Sequence, residues 1–175
     1  MTESRLWNTE GFVTDDPWRV VGEEETTPVA DANARLLLSL ARYLELSDDD
    51  RKSGTFGVVL SPDDDVVDME PHLGNLQLVA VTFPAFSDGR AFSQASLLRD
   101  RLGFDGELRA HGDVLIDQIP LMLRCGIDSF SVTNATAIRR LAEGRLPGIS
   151  AHYQPATKPS RTTGSYAWRR VQEPA

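Results

Sequence analysis

TFGVVLSPDDDVVDMEPHLGNLQLVAVTF, residues 55–83, decides the fold. It holds two short apolar runs rich in β-formers, TFGVVL (55–60) and QLVAVTF (77–83), parted by a polar stretch that starts like a helix. Ser61 stands where an N-cap would, Pro62 fits the first helical position, three aspartates favour the positive end of the dipole, and Pro71 is expected to close the segment. Strand, helix and strand joined by short connections predict a parallel pair. The pattern continues downstream. A helix capped by Ser93 and ended by Gly103 leads to ELRAH (107–111); VLIDQIPLMLRC supplies the next helix; DSFSV (128–132) is a further strand; Asn134 caps a last helix ended by Gly144. ISAHY (149–153) is a candidate fifth strand. A closed barrel of such units needs roughly 250 residues. The predicted fold is therefore α/β, a single-domain parallel sheet of four to five βα units, open or half-barrel-like. In either form ligand sites lie at the carboxyl ends of the strands.

Upstream, residues 1–30 read as a short strand or hairpin with a loose acidic loop, outside an α/β domain at 31–153; residues 154–175 form a basic tail. In DANARLLLSLARYLEL, Asp31 is a plausible N-cap, and Ala34, Leu37, Leu38, Ala41 and Leu44 make one helical stripe. Pro120 admits two placements. With Asp113 as the cap it lies inside the helix and kinks it; with Asp117 as the cap it falls in the tolerated first turn. Asp113, directly after the strand and its glycine, is preferred.

The 175 residues suit one domain, and the composition, 41% hydrophobic and 25% charged, is that of a soluble globular chain. No apolar run approaches the roughly 18 residues of a membrane span, and the N-terminus has neither the basic start nor the apolar stretch of a signal peptide. A cytoplasmic location is expected. A formal charge of −8 argues against nucleic acid. That charge is uneven: Gly144–Gln172 contains no acidic residue, so the tail is either a solvated segment or a docking surface for an acidic partner or anion. The lone Cys125 excludes an internal disulfide or a cysteine cluster from this chain, and its place at a helix end reads as a buried structural thiol. His72 and His152 lie in unrelated segments, so no metal site is expected. SPDDD stands where a dinucleotide site needs a glycine-rich turn, and its carboxylates would repel phosphate; no cofactor is expected.

FPAFSDGRAFS (83–93) is the longest strand-to-helix connection on the functional face. Asp88-Gly89 suggests a tight turn in which glycine tolerates positive φ. That turn would bring Arg90 over the strand ends near Asp113 and Arg109, with Phe83, Phe86 and Phe92 packing the loop down. Alternation in ELRAH puts Glu107, Arg109 and His111 on one face and Leu108 and Ala110 on the other. A polar face is unusual in a parallel sheet, so it either lines a polar cavity or meets a partner. Asp88, Arg90, Arg109 and Gln118 are the candidate ligand- or partner-binding residues. Arg90 and Arg109 could hold an oxyanion, or pair with Asp88, Asp113 or Glu107 and merely fasten loops. His111 with Asp113 is a conceivable acid–base pair, or simply a polar residue at a mouth.

Four pieces, FPAFSDGRAFS, LRDRLGF, GELRAHGDVLIDQ and RCGIDSF, with the early GFVTDDPW and the late HYQP, resemble the bacterial domain-of-unknown-function 934 family. Its members are labelled predicted oxidoreductases involved in sulfite reduction. The resemblance implies an accessory role in assimilatory sulfite reduction, with the sulfite reductase hemoprotein or another sulfur-assimilation protein as partner. The family label rests on gene neighbourhood and names no mechanism. The residues leave two alternatives open, an enzyme acting on a small anionic metabolite and an interaction scaffold. They also leave self-association open. A concave pocket at the strand ends favours the enzyme; a flat apolar surface there favours the partner.

Overall fold

A computed structural model describes residues 4–22, 25 and 35–148. Within these residues eight strands form one sheet: β1 (Arg5–Asn8), β2 (Gly11–Phe12), β3 (Trp18–Val20), β4 (Arg35–Ser39), β5 (Phe56–Leu60), β6 (Leu78–Phe83), β7 (Glu107–Gly112) and β8 (Ser129–Val132). Their order is β2-β1-β8-β7-β6-β5-β4-β3. From β3 to β8 every neighbouring pair is parallel, as expected for the runs around 55–60, 77–83, 107–111 and 128–132. β1 runs antiparallel to both β8 and β2, so the sheet is mixed and larger than the sequence suggested.

Because β4 to β8 lie side by side in chain order, right-handed crossovers place all their helices on one face. That face holds the main core. Leu36, Leu38, Val58, Leu60, Val79, Val81, Leu108, Ala110, Phe130 and Val132 point into it, against Tyr43, Met69, Ala95, Leu98, Ile119, Met122 and Leu141 from the helices. The other face is the concave side of an open half-barrel. Its apolar part is small, formed by Leu37, Leu78 and Ala80 with Trp18 and Val59 packed on them.

The helices among the described residues are α1 (Leu40–Leu44), α2 (Asp48–Lys52), α3 (Arg90–Ser96), α4 (Ile119–Arg124) and α5 (Ala135–Ala142), with a 3₁₀ helix at Val66–Asn75 and a π turn, Leu97–Arg101, prolonging α3. Asn134 caps α5 by accepting the Thr136 and Ala137 amides, and Gly103 and Gly144 adopt positive φ where helices end.

Several expectations are corrected. Within DANARLLLSLARYLEL, Arg35–Ser39 is a strand, not helix, and only Leu40–Leu44 is helical; Asp31 and Ala34 lie outside the described residues. Leu36, Leu37 and Leu38 are all buried, which is how a strand covered on both faces reads. A continuous apolar run satisfies a helical period equally well, so periodicity could not choose. After β5 the turn at Ser61–Asp65 precedes a 3₁₀ helix capped by Asp65, and Pro71 lies inside it instead of closing it. Proline removes a donor and disfavours the α-helical turn before it, and the segment takes tighter turns. The helix after β7 begins at Ile119, with Gln118 as N-cap and Pro120 in the first turn, so Asp113 caps nothing and Pro120 kinks nothing. ISAHY and the basic tail fall outside the described residues.

Candidate functional site

The N-terminal strands supply both edges of the sheet. β1 extends one edge beside β8, and β3 extends the other beside β4. Residues 13–17 therefore pass from edge to edge across the concave face and act as a strap. Val13 still donates to the Leu6 carbonyl, and Pro17 accepts the Arg35 amide. Beyond them the strap is held by side chains. Trp18 lies over Gly57, where an added Cβ would sit 3.0 Å from the indole and 2.7 Å from the Leu78 carbonyl, so only glycine lets the ring this close. Asp16 reaches the centre of the sheet.

There it meets Arg109. As alternation predicts, Leu108 and Ala110 lie in the helix-side core while Glu107, Arg109 and His111 face the concave side. Arg109 is 5% exposed, and its charge is matched by neighbours. Its Nη1 and Nη2 donate to the two Asp16 carboxylate oxygens at 2.6 and 3.2 Å. Its Nε and Nη2 donate to Glu107 Oε1 at 3.1 and 2.9 Å, and Ser129 Oγ donates to the same oxygen at 2.5 Å.

The strap divides the concave face into two cavities. The amino-end cavity, about 710 Å³, is lined by Arg35, Arg99, Phe104, Glu107, Asp128 and Ser129 among others. The carboxyl-end cavity, about 580 Å³, contains His111, Ser131, Thr14, Arg5 and Arg19. Asp16, Trp18 and Arg109 border both. Among the described residues lining the carboxyl-end cavity Asp16 is the sole carboxylate, against three arginines and a histidine. Part of that positive charge is met from outside, since Glu25 pairs with Arg19 and Glu107 with Arg109. Burial, helped by the Arg109 charge, pushes the His111 imidazole below its ordinary value, so it is neutral near neutral pH. No hydrogen bond holds it among the described residues, which leaves a donor and an acceptor facing the cavity. Among the described residues no group of three His, Cys, Asp or Glu side chains is arranged to hold a metal ion, and no helix is long and apolar enough to cross a membrane.

The other candidates lie elsewhere. Arg90 starts α3 and binds Asp88 and, through a short contact, Asp63 in the turn after β5. It is not brought to Arg109, because each arginine is matched by carboxylates of its own. The guanidinium holds the Asp88 carboxyl below its usual range, and Asp88 also accepts the Arg90 amide. The turn itself is closed by the Asp88 amide on the Ala85 carbonyl. Gly89 has φ −93° and caps α3, so no positive φ is required of it. Phe83 and Phe92 pack edge-to-face at 5.0 Å, but Phe86 is 62% exposed and packs nothing down. Asp113 lines neither concave-face cavity; its amide donates to the Phe83 carbonyl. It therefore shares no cavity with His111. Gln118 donates weakly to the Phe86 carbonyl while its Oε1 is buried without a partner. Cys125, at the end of α4, is half-buried, with burial raising its thiol pKa.

Over residues 57–163 the chain matches the model of a family described as bacterial protein of unknown function (DUF934). The chain belongs to that family. No curated protein matches it. The DUF934 match takes in β5 to β8 with their helices, and so carries Arg90, Arg109, His111, Asp113 and Gln118. Asp16, Trp18 and Arg19 precede it. As site residues Asp16 of the strap and Trp18 and Arg19 of β3 escaped the sequence reading, as did the two serines of β8. The serines had a signal: Ser129 and Ser131 alternate on one face of DSFSV, as Arg109 and His111 do on β7. Asp16 had none, because nothing local in TDDPW indicates a partner across the sheet.

Proposed function

We propose that the protein binds a small oxyanion in the carboxyl-end cavity and serves assimilatory sulfite reduction, beside the sulfite reductase hemoprotein or its electron supply in the cytoplasm. The observation that carries the binding part is the cavity itself. It lies on the concave face toward the carboxyl half of the parallel strands, the side on which such sheets place ligands, and its polar lining is weighted toward cations and hydroxyls. The link to sulfite rests on the family resemblance read from the sequence. An enzyme acting on a small anionic metabolite is the second reading. It is favoured by His111, a neutral, unbonded imidazole beside Arg109, suited to accept a proton from a bound acid. A flat apolar docking face has less support, since the concave surface is hollowed and carries arginines, carboxylates and hydroxyls among its apolar side chains.

Calorimetric titration of the full chain with sulfite tests the binding part. Saturable binding in the native protein, weakened in His111→Ala, is expected; no heat with any small oxyanion would remove it. Tagged protein from cells growing on sulfate should retain the hemoprotein or a neighbouring sulfur-assimilation protein, and recovery of neither would remove the assigned partner.

A further inference from the structure

We infer that Arg109 is a carboxylate-recognition site held shut by Asp16, which occupies it in place of a ligand. The inference rests on reading the carboxyl-end cavity as an anion site, and it names the chemistry of the ligand. Arg109 projects a planar fork from the middle of β7. One side of the fork is fixed by Glu107, itself steadied by Ser129. The terminal edge, Nη1 and Nη2, is filled by the two oxygens of Asp16 in the two-pronged arrangement that guanidinium offers carboxylates. Glu107 belongs to the same strand as Arg109, two residues away on the same face, and so stays within reach of it. Asp16 belongs to the strap, and among the described residues the backbone of Thr14–Asp16 makes no hydrogen bond to another segment.

Position adds to this. The Asp16–Arg109 pair borders both cavities, so it is part of the partition between them. A ligand carboxylate entering beside His111 finds the Arg109 edge already taken by a group of its own kind. If it displaces Asp16 it inherits both hydrogen bonds, the strap loses its central tether, and the partition opens. The ligand class is a small organic carboxylate, and the price of entry is set by Asp16. Strap release is thereby coupled to occupancy of the site.

Succinate is the probe, titrated into the full chain by calorimetry with sulfite alongside. Asp16→Asn keeps the shape of the side chain and removes its charge; it should bind succinate about tenfold more tightly than the native chain, a gain of about 1.4 kcal/mol. Arg109→Gln in that background should abolish the gain. A folded Asp16→Asn that binds no more tightly than the native chain overturns the inference. Hydrogen exchange on the unaltered protein gives a second measurement independent of how the variants fold. Saturating succinate should speed exchange at the Val13 and Arg35 amides, which pin the two ends of the strap by donating to the Leu6 and Pro17 carbonyls, and unchanged or slowed exchange there overturns the inference. Native chain that binds sulfite while Asp16→Asn gains nothing sinks the Asp16 lock alone. Failure of every variant to bind either anion sinks the anion site with it.

Discussion

Asp16 and Arg109 stand 93 positions apart in the chain, yet their carboxylate and guanidinium meet at 2.6 and 3.2 Å on the concave face of the sheet. The arginine side chain is 6% exposed and that of Asp16 27%, so the cation of this pair is desolvated while the carboxylate keeps some contact with water. Removing the arginine leaves two carboxylates, Asp16 and Glu107, gathered around a lost cation. Arg109→Leu is expected to destabilise the fold by about 3–5 kcal/mol. Asp16→Asn leaves Arg109 with Glu107 and should cost less, about 1–3 kcal/mol. Urea unfolding measures both, and an Arg109→Leu loss no larger than that of Asp16→Asn would contradict the burial argument.

Gly112 ends β7 at φ +95°, and a Cβ there would stand 2.4 Å from the Phe83 carbonyl. Backbone strain and a clash with rigid backbone add together, so Gly112→Ala should destabilise by at least about 2 kcal/mol. Gly74 has open space around its Cβ position and no positive φ. Gly74→Ala should therefore be neutral or stabilise by up to about 1 kcal/mol, by restricting the unfolded chain. Thermal melts of the two variants side by side test the contrast.

His111 gives the fold a pH dependence of definite sign. Its pKa in the fold lies below the ordinary 6.5, so as pH falls the unfolded chain takes up this proton first. The contribution to stability is complete above about pH 6.5, shrinks as pH drops below that value, and levels off once the folded imidazole also protonates. His111→Gln should flatten the slope of unfolding free energy between pH 6.5 and the onset of carboxylate titration. An unchanged slope would mean that the imidazole is not desolvated.

Arg90 fastens the turns after β5 and β6 to one another through Asp63 and Asp88, at the surface. Exposed pairs of this kind are weak and salt-screened. Arg90→Ala should leave the melting temperature nearly unchanged and leave anion binding in the carboxyl-end cavity intact. A variant that folds but loses binding would return the loop FPAFSDGRAFS to the site.

What the sequence determined by itself is what near neighbours in the chain control. Alternation in ELRAH was enough to set Arg109 and His111 apart from Leu108 and Ala110, since successive side chains of a strand point to opposite faces. Asn134 declared a helix start because its side chain bonds amides two and three residues on. The parallel order of β5 to β8 followed from short strand–helix connections. Only the tertiary structure decided the rest. RLLLS became a strand because the helix-side core takes Leu36 and Leu38 while Trp18 packs with Leu37 on the other face, a circumstance its own period does not record. Pro120 fell in a first turn because the chain after Gly112 makes a longer loop before turning helical. Arg90 took Asp63 and Arg109 took Asp16 because long flexible cations pair with whichever carboxylate the fold sets within reach. Such a partner can lie 27 or 93 positions away, beyond what any local pattern encodes.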